Sequence, residues 1–379
     1  MTVTANKIVV KEDLLVSLRA FFKLVLGLED INALFIPQKL PMRNTVMPAL
    51  ITDPERLTDI DPLAPAFPLN AARVVARLTR RPMGGKIAVV LRPCEMRAFV
   101  ELFKLKQGRT DEIVLIGLDC LGAYSNTEYF KFTDLAGEEA TAAFVQTALL
   151  NEKSPADGFK LAPACQVCEF FEPATADIQI GLLGIDIKQQ VLAQAQTAKG
   201  DDILARLELA AFDIPATRQE KIDALRAQRI EARDTMFAAT HEATNSIEKL
   251  TAYLAHCINC YNCRVACPVC YCKECVFVTD VFNHEPSQYL QWSKRKGTIK
   301  MPTDTVFYHL TRLAHMSTAC VGCGQCSNAC PNDIQVMELF RTVAQQSQKA
   351  FDYEAGRSID ETPPLSVFKE DEFGEVVGI

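Results

Sequence analysis

The sequence lacks the features typical of nucleic-acid-binding, membrane-spanning and secreted proteins. Its formal net charge over 379 residues is −7, so it shows no electrostatic footprint for nucleic acid. It has no long apolar run, because Arg19 and Lys23 interrupt residues 14–28, which are also too few to span a bilayer. The first residues lack a basic segment followed by an apolar one. We therefore expect a cytoplasmic protein without a membrane span.

The sequence also lacks a recognisable catalytic constellation. No grouping suggests a general acid, base and nucleophile, and no G-x-G-x-x-G supplies a dinucleotide site. Glu95 and Arg97 follow a cysteine at the start of a predicted helix, where they could shape the charge of a site or only begin the helix. The sequence leaves open whether the chain is an enzyme by itself.

Cysteine, in contrast, is abundant. With fifteen cysteines and no secretory signal, the sequence indicates a reducing compartment in which thiols bind metals. The spacing C-x2-C-x2-C-x3-C-P occurs twice, as it does in two-cluster bacterial ferredoxins, where the fourth cysteine of each run binds the other cluster. We therefore assign two 4Fe-4S clusters, one to Cys257, Cys260, Cys263 and Cys330, and the other to Cys267, Cys320, Cys323 and Cys326.

Structural zinc is the alternative for these cysteines. Zinc sites also use four thiolates, but they usually pair two C-x-x-C hooks and need neither a third cysteine nor the following proline. Here Pro268 and Pro331 follow two complete copies of the longer pattern. The repeated pattern weighs against zinc and favours electron transfer.

A β-α-β unit is predicted in the first half. Residues 87–91 and 113–118 are continuous apolar runs typical of parallel strands covered on both faces, and residues 95–107 form the helix between them. Cys94 and Cys120 follow the two strands closely, so both should lie at the carboxyl edge of the sheet, where open α/β sheets bind ligands. A C-x-x-C pair, Cys165 and Cys168, precedes a predicted strand at 177–182.

These four cysteines could converge on one edge of the sheet. The alternative is that Cys94 and Cys120 are small buried apolar residues. We favour a third 4Fe-4S cluster held by Cys94, Cys120, Cys165 and Cys168, because three cubes require twelve thiolates.

Three cysteines, Cys270, Cys272 and Cys275, remain outside these twelve. They could complete an extra site with a histidine or with a cysteine of another subunit, or they could be thiols that screen the first cluster. Among the five histidines, His256 and His315 lie closest in sequence to the cluster ligands, although purely structural roles are the safer expectation for both.

The remaining pattern gives the organisation of the chain. Seven prolines between 36 and 68 predict loops around short extended pieces, and periodicity predicts helices at 12–28, 69–80, 187–211, 216–238, 244–256, 303–316 and 335–349. The predicted fold is an α/β N-terminal domain with a partly parallel sheet, a helical connector and a mainly α-helical two-cluster ferredoxin domain. We place these at 1–190, 191–250 and 251–345, followed by an acidic, mobile or partner-bound tail at 346–379.

The cysteine runs resemble a known family. CINCYNCRVACPVCYCKEC followed by LAHMSTACVGCGQCSNACPNDI is similar to the β subunit of methanogen-type formate dehydrogenases, and the resemblance includes Cys270, Cys272 and Cys275. LRPCEMRAFVELFKLKQ, IGLDCLG and CQVCEFFEPATADIQIGLLG resemble the domain shared with the coenzyme F-420 hydrogenase β subunit. The resemblance covers about residues 10 to 345. It implies a cluster at the four N-terminal cysteines beside an FAD, and electron exchange between a formate dehydrogenase catalytic subunit and a deazaflavin or a heterodisulfide reductase-type complex.

One departure from the family pattern bears on the flavin. Members that bind FAD carry a Gly-Gly pair at the start of the first helix, where this chain has Glu12 and Asp13. A glycine-opened helix start binds phosphate through free N–H groups, whereas two carboxylates would repel it. The residues therefore disfavour FAD, and coenzyme F-420 more strongly.

The sequence and its resemblance to this family lead to three hypotheses about function. The first is an iron–sulfur subunit that passes electrons between a formate dehydrogenase or hydrogenase catalytic subunit and a heterodisulfide reductase-type or other acceptor. The second is an FAD-containing flavoenzyme subunit that exchanges hydride with coenzyme F-420 or another two-electron carrier. The third, a scaffold with structural metal sites, is poorly compatible with twelve well-spaced cysteines.

Overall fold

A seven-stranded mixed sheet forms the centre of the N-terminal half. The computed structural model describes residues 4–41, 45–150 and 152–367. The order across the sheet is β1-β7-β6-β5-β4-β2-β3, in which β2, β4, β5 and β6 run parallel and the outer pairings are antiparallel. The strands are β1 (Ala5–Val9), β2 (Ile31–Lys39), β3 (Val46–Ile51), β4 (Lys86–Leu91), β5 (Ile113–Leu118), β6 (Ile178–Gly181) and β7 (Gln190–Ala195).

Helices flank the sheet and dominate the C-terminal half. Those up to the connector are α1 (Leu14–Leu26), α2 (Ala72–Leu78), α3 (Pro93–Lys104), α4 (Asn126–Ala136), α5 (Ala140–Val145), α6 (Pro163–Gln166) and α7 (Ala198–Arg206). The remaining helices are α8 (Ala216–Thr244), α9 (Ile247–Tyr253), α10 (Asn262–Ala266), α11 (Pro286–Lys296), α12 (Thr305–Met316), α13 (Gln325–Asn328) and α14 (Val336–Ala350). The predicted fold class, an α/β domain joined to a mainly helical ferredoxin region, is confirmed.

The central strands are apolar throughout because both faces of the sheet are covered. Along β4, Val89 and Leu91 belong to one core, which includes α3 and much of the C-terminal half. Ala88 and Val90 belong to the other core, which includes α1 and α7. Alternate side chains of a strand point to opposite faces, so a strand between two helical layers needs apolar residues at every position.

The β-α-β prediction is confirmed, but one predicted helix is partly wrong. Residues 187–211 do not form one helix, because Gln190–Ala195 is the strand β7, which pairs with both β6 and β1. Alanine and glutamine at these positions suggested a helix, yet Val191, Leu192 and Ala193 are fully buried between two strands. Tertiary packing overrides weak local propensity here.

The connector helix α8 is fixed to the sheet at its first turn. Both terminal nitrogens of Arg218 donate to the Asp119 carboxylate, at 2.6 and 3.1 Å, and the Leu182 and Leu183 amides also donate to that carboxylate. Asp119 lies just after β5 and is buried. A bidentate, buried arginine–carboxylate pair is geometrically specific, so it sets the direction in which the 29-residue α8 leaves the sheet.

The segment after α14 packs against the first half of the chain. Tyr353 is buried, and its hydroxyl donates to both carboxylate oxygens of Glu101 on α3, at 2.7 and 2.8 Å. The Gly356 amide donates to the same carboxylate at 2.7 Å. Gly356 has a φ of +77°, and its backbone lies so close to Arg97 that a β-carbon would not fit. The expectation of a mobile or partner-bound tail is therefore wrong for residues 351–356, and residues 368–379 of that tail lie outside the described residues.

The proposed domain boundaries stay a prediction. The sheet continues beyond residue 190 because β7 belongs to it. The predicted connector at 191–250 nevertheless contains the long α8, and the predicted ferredoxin domain at 251–345 contains both cysteine runs.

Candidate functional site

Four thiols meet at the carboxyl edge of the sheet. Cys94 begins α3 just after β4, Cys120 follows β5, and Cys165 and Cys168 lie on and after α6. Burial, with Cys120 and Cys168 close by, raises the pKa of the Cys165 thiol to about 12. Burial also raises the pKa of Cys94 well above its ordinary value, and the thiols of Cys323 and Cys120 raise it further. The structure therefore brings together the four cysteines that the sequence grouped.

Backbone hydrogen bonds hold this edge in place. The Cys120 amide donates to the carbonyl oxygen of Phe171 at 2.8 Å, which ties the end of β5 to the segment after the C-x-x-C pair. Gly122 has a φ of +102°, and a β-carbon there would be 2.8 Å from the Leu161 side chain and 3.4 Å from the Cys165 β-carbon. Glycine at this position lets the two loops that carry Cys120 and Cys165 approach each other.

A half-buried arginine, Arg92, faces these thiols. Arg92 donates to the carbonyl oxygens of Ala64 and Ala66, at 2.8 and 2.6 Å. Burial opposes its charge, but Cys120 and Glu95 nearby hold the Arg92 pKa above its ordinary value. The guanidinium is therefore a fixed cation beside a site that would carry four thiolates.

Three residues of the connector and α14 hold the C-x-x-C segment from the other side. Arg229 of α8 donates to the Cys168 carbonyl oxygen at 3.2 Å, and Arg341 of α14 donates to the Val167 carbonyl oxygen at 2.7 Å. Arg233 and Arg341 both pair with the Glu169 carboxylate. No local pattern indicated that the connector takes part in a site, because these contacts join residues more than sixty positions apart.

The first ferredoxin group also matches its predicted membership. Cys257, Cys260, Cys263 and Cys330 line a single cavity, together with Tyr308 and His309 of α12. Burial raises the pKa of the Cys257 thiol, and the thiols of Cys263 and Cys330 act in the same direction. Cys330, the fourth cysteine of the second run, thus lies with the first three cysteines of the first run, as crossed ligation requires.

Helix α12 supplies polar contacts to this group. Arg312 donates to the Cys263 sulfur at 3.1 Å and to the Cys263 carbonyl oxygen at 3.2 Å. The Nε2 atom of His309 lies 3.4 Å from the Cys257 sulfur, and the Tyr308 hydroxyl lies 3.5 Å from the Cys263 sulfur. Burial, with Arg312 beside it, lowers the pKa of His309 to about 4, so the ring is neutral at pH 7. Donors of this kind tune the basicity of metal-bound sulfur.

The second ferredoxin group is assembled in the same crossed way. Burial raises the pKa of the Cys320, Cys323 and Cys326 thiols, and the thiol of Cys267 contributes to the rise in each. Cys267 comes from the first run and the other three cysteines from the second. The structure therefore places Cys267 with the group to which the spacing assigned it.

The three groups lie in a row. Cys94 of the sheet-edge group is close enough to Cys323 of the second ferredoxin group for the two thiols to influence each other's charge. Cys326 packs against Ala164 and Val167, which flank Cys165. At the other side, Cys267 lies beside Cys263 of the first ferredoxin group. The order is thus sheet edge, second ferredoxin group, first ferredoxin group.

Comparisons with known proteins match two parts of the chain. Residues 84–215 match the family described as the C terminus of the coenzyme F-420 hydrogenase/dehydrogenase beta subunit, and residues 315–335 match the 4Fe-4S binding domain. The F-420-dependent formate dehydrogenase subunit beta of Methanocaldococcus jannaschii is 28% identical over 343 residues, which cover 84% of this chain and 85% of that protein. The chain is therefore similar to the coenzyme F-420 hydrogenase/dehydrogenase beta-subunit family over residues 84–215, and to a formate dehydrogenase beta subunit over most of its length.

One further curated protein and one solved structure are also similar to the chain. The F-420-dependent formate dehydrogenase 1 subunit beta of Methanococcus maripaludis is 26% identical over 305 residues, which cover 74% of this chain and 75% of that protein. A chain of the xenon-derivatised F-420-reducing nickel–iron hydrogenase complex from Methanosarcina barkeri has a TM-score of 0.47 and 15% identity, covering 65% of this chain and 94% of that chain. The latter likeness is too low to support an inference about either fold or function.

The family's flavin does not fit the start of the first helix in this chain. Asp13 caps α1, and its carboxylate accepts the Val16 amide at 2.8 Å, so an anion already occupies the position a phosphate would take. Glu12 is exposed beside it, and both residues line a cleft of about 1260 Å³. The two carboxylates at the helix start would repel a flavin pyrophosphate placed there.

Three cysteines stay outside the groups. Cys272 is exposed, whereas Cys270 and Cys275 are half-buried against the core that contains the ferredoxin cysteines. Burial raises the pKa of the Cys270 thiol to about 11, with Cys267 contributing. This position agrees with thiols that screen the ferredoxin groups, and an additional site stays a hypothesis.

Membrane spans and compact metal sites are both absent from residues 4–41, 45–150 and 152–367. No helix in these ranges is long and apolar enough to cross a membrane. Nor does any group of three or more His, Cys, Asp or Glu side chains there form a site for a metal ion. A single zinc ion needs four sulfurs at about 2.3 Å, whereas a cube of four irons holds its thiolates farther apart. The absence of a compact metal site from these ranges therefore applies to sites for one metal ion.

Proposed function

We propose that the chain is a three-cluster electron-transfer subunit of an oxidoreductase complex. Iron–sulfur electron transfer follows from the family and the 4Fe-4S domain. The observation that carries the three-cluster proposal is the proximity of the cysteines within each of three groups of four. The proposed ligands are Cys94, Cys120, Cys165 and Cys168; Cys257, Cys260, Cys263 and Cys330; and Cys267, Cys320, Cys323 and Cys326.

The partners are the second part of the proposal. The curated relatives are named as formate dehydrogenase beta subunits. We infer that this chain accepts or donates electrons at a formate dehydrogenase or hydrogenase catalytic subunit and exchanges them with a heterodisulfide reductase-type or other acceptor. The two ends of the row, at the sheet edge and at the first ferredoxin group, suit two different partners because the second ferredoxin group lies between them.

The residues of the chain prepare the sites for this role. When bound, the clusters would supply one-electron transfer. Arg92 at the sheet edge is half-buried and Arg312 between the ferredoxin groups is buried, and both are cations that offset the negative charge of thiolates. Cys263 is buried beside Arg312, which makes the charge of Arg312 more effective there than it would be in solvent.

The three-cluster proposal can be tested by removing one proposed ligand of the sheet-edge cluster. Cys168→Ser in the anaerobically purified complex should lower the iron content by about four per chain while the two ferredoxin clusters still give reduced-state EPR signals. Electron flow between catalytic subunit and acceptor should fall at least tenfold. Cys272→Ser is the matched control, since it makes the same substitution at an exposed cysteine outside the three groups.

The result can contradict the proposal in a defined way. Unchanged iron content in Cys168→Ser would show that the sheet-edge group holds no cluster. Loss of four irons with unchanged electron flow would instead remove this cluster from the electron path.

A further inference from the structure

Exposed apolar side chains concentrate between the two cysteine runs. Among the described residues, nearly half of the large apolar side chains that are exposed lie within residues 258–310. They include Val278, Val281, Leu290, Met301, Phe307 and Leu310. A concentration of this kind on one segment differs from the single exposed apolar residues normal on a protein surface, and it marks an interaction site.

A groove lies within this segment. It measures about 590 Å³ and is formed by the end of α11, the start of α12 and the loop between them. Three aromatic side chains, Phe282, Trp292 and Phe307, contribute to its lining. Three cationic side chains, Arg295, Lys296 and Lys300, contribute the charge. We call this feature the basic groove.

Within residues 4–41, 45–150 and 152–367, no ion pair neutralises the basic side chains of the groove. The segment KRKGTIK at 294–300 contains four basic residues and no acidic one, although the whole chain has a net charge of −7. In the described part of the chain, none of the ion pairs includes Lys294, Arg295, Lys296 or Lys300. An unpaired basic rim around aromatic anchors is complementary to an acidic surface.

The basic groove adjoins the first ferredoxin group. Lys300 donates to the Cys257 carbonyl oxygen at 3.0 Å and to the Thr305 hydroxyl at 3.3 Å. Asn259, between two of the cysteines, donates to Asp304 at 2.9 Å, and Asp304 also lines the groove. Cys260 is exposed. A protein bound in the groove would therefore contact the loop that carries the cysteines at one end of the row.

We infer that the basic groove docks an acidic segment of the redox protein with which the chain exchanges electrons at the first ferredoxin group. This inference rests on the proposed electron-transfer function. The aromatic residues supply apolar contact area, and the lysines and arginine select carboxylates and speed the encounter through long-range attraction. The occupant is a separate redox protein, because the groove lies beside the first ferredoxin group, where electrons would pass to a partner.

The affinity-tagged chain is purified anaerobically from its own cells together with the proteins that it retains. Cross-linking in this complex then maps the contact. A zero-length carbodiimide joins lysines to carboxylates in direct contact. We expect Lys294, Lys296 or Lys300 to be joined to aspartates or glutamates of a cofactor-containing partner. The triple variant Lys294→Glu, Arg295→Glu, Lys296→Glu should retain the partner at least tenfold less, with its own iron content unchanged.

The control reverses the same number of charges elsewhere. Lys153→Glu, Lys160→Glu, Lys221→Glu changes three exposed lysines outside the groove and should retain the partner at the wild-type level. Equal retention by both triple variants, or cross-links only to another copy of the chain, would overturn the docking proposal and leave the electron-transfer function standing. A wild-type chain that holds iron but retains no redox protein would contradict the proposed function itself.

Discussion

Arg312 is placed to influence two of the proposed clusters. It is 4% exposed and donates to the Cys263 sulfur, while Cys267 and Cys326 of the second ferredoxin group are also near its charge. Its guanidinium lies over the Phe340 ring at 4.6 Å, which fixes its direction. A reduced cluster carries one more negative charge than an oxidised one, so a fixed cation favours the reduced state.

Arg312→Gln should therefore lower the midpoint potential of the first ferredoxin cluster. A difference of about 1.4 kcal/mol between the two oxidation states corresponds to a shift of roughly 60 mV for one electron. An EPR-monitored redox titration of the anaerobically purified protein measures the shift. Arg312→Lys keeps the charge and should give a smaller change. Equal potentials in wild type and Arg312→Gln would exclude this role.

Single residues near the sites were only partly predictable. The eight ferredoxin cysteines could be grouped from their spacing, and the other four from the strand ends and the C-x-x-C pair at which they lie. The histidine at the first ferredoxin group could not be predicted in this way. His309 contacts Cys257, whereas His256 and His315, the two histidines nearest to the ligands in sequence, are exposed. His309 reaches the site through the helical repeat of α12 and not through proximity in the chain, and a sequence alone does not show how that helix packs.

At the scale of elements, the short helices α6 and α13 form the contact between the sheet-edge group and the second ferredoxin group. Gly324 precedes α13 with a φ of +79°, and a β-carbon there would overlap the β-carbon of Ala164 on α6. The helices can approach this closely only because position 324 has no side chain. The distance between two proposed clusters therefore depends on one glycine.

Gly324→Ala should destabilise the protein and separate the two groups. The unfavourable φ costs about 1–2 kcal/mol, and the overlap with Ala164 adds about 1–3 kcal/mol. We expect a lower melting temperature and slower electron transfer from the sheet-edge cluster. Gly84→Ala is the matched control, because Gly84 has a φ of +78° but no atom within 4 Å of the added β-carbon. If both variants melted at the same temperature, the contact would not be tight.

Elements with a strong periodic signal were predicted best. The buried strands β4 and β5 and the helix α3 matched their predicted ranges closely, since continuous apolar runs between turn residues leave few alternatives. β7 was missed because its alanines and glutamines resemble a helix, and its strand conformation comes from pairing with β1 at the other end of the domain. Pairing across about 185 residues leaves no local pattern in the sequence.

For the whole molecule, the two halves form one body through contacts at the sites. α8 leaves the sheet at Asp119 and then contacts the C-x-x-C segment, and α14 binds that segment from the ferredoxin side. Tyr353 and Gly356 return to α3. The sequence indicated two cluster-binding regions and a connector, but it did not reveal that the connector joins them at the sheet-edge cysteines.

The iron and acid-labile sulfide content of the anaerobically purified chain tests the three-cluster proposal most directly. Three groups of four cysteines predict about twelve iron and twelve sulfide per chain. A content of about eight would contradict the sheet-edge cluster, and about four, or zinc in place of iron, would contradict the account of the chain as a row of three clusters.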